Sequence, residues 1–85
     1  MRGGDELETG RIEMTQYAIV IERGEDGGFG AYVPDLPGCV AVAKSEADVR
    51  QLLKEAVELH LSAMRADGDA IPEPSTQVGY LALAS

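Results

Sequence analysis

The stretch AYVPDLPGCVAVA (Ala31–Ala43) places two prolines, an aspartate and a glycine between two apolar runs. It reads as a rigid bend joining two strands. Pro34 and Pro37 each hold φ near −65°, which reduces the entropy lost when the loop orders. Asp35 is expected to accept hydrogen bonds from the backbone N–H groups that follow it, and Gly38 to take a positive φ. Leu36, between the prolines, is expected to anchor inward. Each residue is then accounted for without catalysis, and neither proline falls inside a strand, where its missing N–H would break the ladder.

Working outward, FGAYV (Phe29–Val33) precedes the bend as a strand and CVAVA (Cys39–Ala43) follows it as another. Upstream, QYAIVIE (Gln16–Glu22) is a β-branched and aromatic strand, joined to Phe29 by RGEDGG, whose Asp26-Gly27 pair suits a hairpin turn. Downstream, Ser45 is placed as an N-cap with Asp48 three residues on. The helix is expected over about Glu46 to Ala66, ending at Gly68 as a left-handed cap. Val49, Leu52, Leu53, Ala56, Val57, His60, Ala63 and Met64 share one stripe at helical spacing, with Leu59 and Leu61 at its edges. IPEPS (Ile71–Ser75) is an extended connector, and VGYLALA (Val78–Ala84) reads as a fourth strand.

The fold class is therefore α+β, in the order β-β-β-α-β: an antiparallel sheet with one helix packed on one face. Residues 1–15 carry no apolar period and read as a disordered arm, and residues 16–85 form the domain. Met14 directly precedes the first strand-like run, so residues 1–13 stand outside the fold reading. The sheet is apolar on both faces. Tyr17, Ile19 and Ile21 alternate with Ala18 and Val20, and Val78, Tyr80 and Ala82 alternate with Gly79, Leu81 and Leu83. One helix covers only one face, so the other is expected to meet a protein surface, with Ala18, Val20, Leu81 and Leu83 as its candidate residues.

Eighty-five residues make one small domain, with 15 acidic against 7 basic residues and a net charge of −8. That field opposes direct nucleic-acid binding and favours encounter with a basic partner. The single cysteine, Cys39, excludes an internal disulfide and any multi-cysteine metal motif, and fits a reducing cytoplasm. No apolar run approaches the ~20 residues of a membrane span.

Catalytic chemistry finds little support. GEDGGFG lacks the spacing of a dinucleotide fingerprint and leads into a strand rather than a helix. His60, the only histidine, lies in the apolar stripe with no second histidine one turn away. Cys39 has no neighbouring base to activate it. Metal-dependent phosphodiester cleavage needs converging carboxylates, yet the centre of the opening strand is AIVI (Ala18–Ile21), with Glu22 only at its end. No catalytic residue, metal ligand or cofactor is expected.

Together YAIVIE, a Gly/Asp turn, FGAYVPDLPGC, a helix containing KEAVELHLSAM, then GDAIPEPS and a closing strand resemble the HicB-like antitoxin family over roughly Tyr17 to Leu83. The resemblance implies a partial ribonuclease-H-like fold without catalytic carboxylates. It also implies a cytoplasmic, non-enzymatic partner of a small basic mRNA-cleaving toxin, HicA-like and of double-stranded-RNA-binding fold, whose catalytic histidine it covers. Family members also self-associate through this domain, so a dimer or tetramer is expected. In that setting the bend Pro34, Asp35, Leu36, Pro37 and Gly38 is expected near a partner surface. The alternative is a self-associating domain with no toxin partner. The sequence departs from the family in two places. It stops at Ser85, right after the fourth strand, so no direct DNA binding is expected from it. AKS (Ala43–Ser45) also stands where a Gly-Asp-Thr-like turn commonly enters the helix.

Overall fold

The computed structural model describes residues 15–84. The expected arm lies outside those residues, save Thr15. Three strands, β1 (Val20–Arg23), β2 (Phe29–Tyr32) and β3 (Val40–Ala43), form an antiparallel sheet in that order, followed by helix α1 (Glu46–Ala66). The register runs Val20↔Tyr32↔Val40 and Ile21↔Ala31↔Ala41 across the sheet. Alternation then sends Ile21, Ala31, Ala41, Phe29 and Ala43 toward the helix, where they pack in or against the core. Val20, Tyr32, Val40 and Val42 take the opposite face.

The β1–β2 turn closes through Gly24 N donating to Gly28 O (2.8 Å), while Asp26 Oδ1 accepts from Gly28 N (2.9 Å). Ser45 caps α1 by accepting from Asp48 N at 3.1 Å, with Glu46 and Asp48 at the positive end of the helix dipole. At the other end Gly68 takes φ +77°, Gly68 N donates to Arg65 O and Asp69 N to Met64 O. This is the Schellman arrangement that the sequence anticipates.

A 21-residue helix is ~31 Å long, whereas a four-residue strand spans only ~13 Å. The helix therefore overhangs the sheet. Its first half is gripped, with Val49 and Leu53 buried, while Leu59 is exposed and Val57, His60, Leu61 and Met64 are half-buried. The loop fills the gap: Leu36, 1% exposed, and Cys39 join Ala31, Val33, Val49 and Leu53 in the buried core.

The first strand is shorter than the sequence suggests. Its pairing stops at Val20↔Tyr32, because β2 turns into the Pro34 bend and leaves Tyr17–Ile19 with no ladder partner. The last expected strand does not form within the described residues. Val78–Ala84 is unpaired and exposed, including Tyr80 at 92%, Leu81 at 90% and Leu83 at 83%. The connector before it is tied at Pro72 to Tyr17 and at Ser75 and Thr76 to Asp35 in the β2–β3 loop, and the residues after those ties pair with no strand among the described residues. The observed chain is α+β, a three-stranded antiparallel sheet with one helix on one face.

Candidate functional site

The β2–β3 loop is locked from within and from outside. Val33 N donates to Cys39 O, Leu36 N to Val33 O and Cys39 N to Leu36 O, all at 3.0–3.2 Å. These bonds drive Leu36 inward and leave Pro37 and Gly38 at the surface, with Gly38 at φ +93°. Asp35 does not accept from the backbone that follows it. It reaches 40 residues along the chain, where both Ser75 and Thr76 donate to it through backbone N–H (2.9 and 3.0 Å) and hydroxyl (3.1 and 2.7 Å). Four donors favour the ionised carboxylate, chiefly the Thr76 hydroxyl and the two amides, and hold the Asp35 pKa down at about 2. A neighbouring tie has Tyr17 OH donating to Pro72 O at 2.6 Å. Burial, then the negative charges of Glu73 and Asp35, raise the Tyr17 pKa and keep the phenol a donor. Nothing periodic in the sequence signals these ties; the run Ser75-Thr76 after two prolines is the only local hint of a capturing pair.

Besides the exposed run Val78–Leu83, apolar surface is open at the sheet and beside α1 among the described residues. On the face away from α1, Tyr32, Val40 and Val42 are exposed, Val42 at 77%, beside half-buried Val20, while Ala18, also half-buried, precedes β1. Leu81 and Leu83 do not join them in the sheet. The second surface is a groove of about 630 Å³ between α1 and the segment leading into β1, with Tyr17, Ile19, Leu53, Val57 and Leu61 in its lining and Arg50, Lys54 and Arg65 also around it. It exists because α1 packs over β3 and β2 rather than β1.

Chemistry-bearing side chains do not converge. Among the described residues no three His, Cys, Asp or Glu side chains are grouped to hold a metal ion. Cys39 is buried, and burial raises its pKa, the reverse of what a thiolate nucleophile needs. His60 sits half-buried on α1. Carboxylates lie instead on the exposed helix surface, partly in i,i+4 pairs such as Glu46–Arg50 (3.2 Å) and Lys54–Glu58 (3.9 Å). Such pairs are worth only a few tenths of a kcal/mol each. No helix in the described residues is long and apolar enough to cross a membrane.

Comparison with known proteins gives this geometry a context. A UPF0150 protein of Archaeoglobus fulgidus is 45% identical over 58 residues, spanning 66% of this chain and 84% of its own. One from Helicobacter pylori is 48% identical over 48 residues, covering 56% of this chain and 65% of its own. The crystal structure of the N-terminal domain of the Burkholderia pseudomallei antitoxin HicB superposes with a TM-score of 0.63 at 24% identity, over 68% of this chain and 69% of that one, a likeness of fold. The profile of a family described as HicB_like antitoxin of bacterial toxin-antitoxin system matches residues 17–83, almost the whole of the described region. The chain belongs to the HicB-like antitoxin family.

Proposed function

We propose that this domain is a non-enzymatic antitoxin that binds a small basic, HicA-like mRNA-cleaving toxin in the cytoplasm and covers its active site. The observation that carries the reading is the conjunction of family membership with a net charge of −8 and an apolar sheet face open to a partner. Complementary charge speeds encounter with a basic protein. Burial of Tyr32, Val40 and Val42 then supplies an apolar centre for the contact. The β2–β3 loop, fixed by its own hydrogen bonds and by Asp35, presents a preformed edge to that surface, so little ordering cost is met on binding.

The test is co-expression with a HicA-like toxin, followed by co-purification and an RNA-cleavage assay. The antitoxin reading expects a stable complex in which cleavage is lost, and Val42→Asp or Tyr32→Asp restores cleavage. A toxin that keeps full cleavage and does not bind contradicts it.

A further inference from the structure

Strand β3 forms one edge of the sheet, and its backbone is turned outward at two residues. Val33 N donates to Cys39 O at 3.2 Å, and antiparallel pairing alternates from there. Ala41 and Ala43 therefore direct their backbone groups at β2, whereas Val40 and Val42 direct N–H and C=O away from the sheet. No strand lies beyond them among the described residues. Natural sheets blunt such an edge with a charged residue, a proline or a bulge. The strand VAVA has neither charge nor proline, and its register with β2 is unbroken, so it has no bulge. Only its length of four residues limits it as a template.

Apolar surface flanks that edge on both sides. Below it are the exposed side chains of Val40 and Val42. Above it is one flank of α1. The helix packs chiefly over β3, and its flank toward β1 lines the groove with Lys54, Val57 and Leu61. The opposite flank carries Asp48, Leu52, Glu55 and Leu59 at i, i+4, i+7 and i+11, so it overhangs the outer edge of β3. All four are exposed. A third carboxylate, Asp26, stands at the end of the strand: a side-chain carbon on Gly28 would meet Asp26 Oδ1 at 3.3 Å and Ala43 O at 3.5 Å. These acids, with Lys44 as the cation next to the strand, give the edge a negative rim.

We propose that an extended segment of a basic protein adds as a strand to the outer edge of β3, and that the partner in the antitoxin reading, on which this inference rests, is held in this way. The outward N–H and C=O groups supply main-chain hydrogen bonds, and the surfaces on alternate sides select side chains. One face of the added strand extends the apolar patch of Tyr32, Val40 and Val42. The other lies under Leu52 and Leu59, where Lys or Arg stems cover apolar surface while their charges reach Asp48 and Glu55. A second copy of this chain is a poor occupant, because it would set Asp48 and Glu55 against the same acids of its twin.

The experiment is hydrogen exchange on the full chain, alone and with an equivalent of purified HicA-like toxin, beside a binding titration at ~50 mM salt. In the chain alone the Val40 and Val42 amides are expected to exchange fast, and those of Ala41 and Ala43 slowly. In the complex Val40 and Val42 slow by ~10-fold or more. Val42→Pro removes only an outward N–H, a change that an edge strand tolerates. It is expected to weaken binding ~10-fold or more while the α1 amides stay protected. Leu59→Asp, on the exposed helix flank, is expected to weaken binding with the fold intact. A toxin that binds while Val40 and Val42 still exchange fast, or that binds Val42→Pro as tightly as the parent, overturns the strand addition and leaves the antitoxin reading standing. A toxin that does not bind overturns both. Slow exchange at Val40 and Val42 in the chain alone at ~100 μM, lost on dilution, assigns the edge to a second copy and also overturns the proposal.

Discussion

Replacing Leu36 with alanine tests whether the β2–β3 bend is part of the core or only a connection. Leu36 is 1% exposed and packs with Val33, Cys39, Val49 and Leu53. Its neighbours are tied by three backbone hydrogen bonds within the loop, so the site collapses poorly when the side chain is truncated. A Leu→Ala change in such a place costs ~3 kcal/mol, transfer and cavity together. A domain of ~70 ordered residues has only ~4–10 kcal/mol in total, so the variant loses a large share of its stability. In urea, with a slope of ~1 kcal/mol per M, the midpoint falls by ~3 M. In a thermal melt it falls by ~12–24 °C. Measurements at ~1 μM keep self-association from masking the loss. Pro37→Ala, at the exposed tip of the same loop, is expected to change stability by less than ~1 kcal/mol. If Leu36→Ala is too unstable to purify, Leu36→Met should cost less than ~1.5 kcal/mol and give a measurable shift. A Leu36→Ala protein within ~1 kcal/mol of the parent would refute the reading of the bend as core.

Further outcomes follow from the same contacts. Gly38→Ala forces a side chain onto φ +93° and should cost ~1–2 kcal/mol, read in the same urea titration. Asp35→Ala removes the acceptor for Ser75 and Thr76 and should abolish slow exchange at those two amides while leaving α1 protected. Because the folded pKa of Asp35 is depressed, the clamp is complete above the ordinary carboxylate pKa and fails only as the pH falls through about 2. An NMR titration of the carboxyl that gives an ordinary aspartate value would contradict that geometry. Cys39 is buried with a raised pKa, so thiol reagents at neutral pH should react only as fast as the domain opens, and accelerate in urea.

Much of the fold is legible in the sequence because it depends on local chemistry. The helix bounds follow from the Ser45 cap, the apolar stripe and Gly68; the hairpin from Asp26-Gly27; and the inward Leu36 from its two flanking prolines. The missing strand shows where local reading stops. Val78–Ala84 alternates as a strand does, but alternation states only that a partner is wanted, not which chain provides it. The Asp35 clamp on Ser75 and Thr76 spans 40 residues and leaves no periodic trace, yet it decides where the tail goes. Of the candidate partner-face residues, Val20 pairs with Tyr32 in the sheet and Ala18 precedes β1, while Tyr32, Val40 and Val42 are the exposed large apolar residues of that face. Those three emerge only once the register pairs Val20 with Tyr32 and Tyr32 with Val40.

The central claim is that an acidic, catalytically inert domain silences a basic ribonuclease by covering it. The most direct measurement is the rate of RNA cleavage by a purified HicA-like toxin titrated with this chain at ~50 mM and ~500 mM salt. The account predicts that cleavage stops near one equivalent of chain per toxin, with a binding constant that weakens as salt rises. Cleavage that continues undiminished at a several-fold excess of the chain, at either salt, would contradict it.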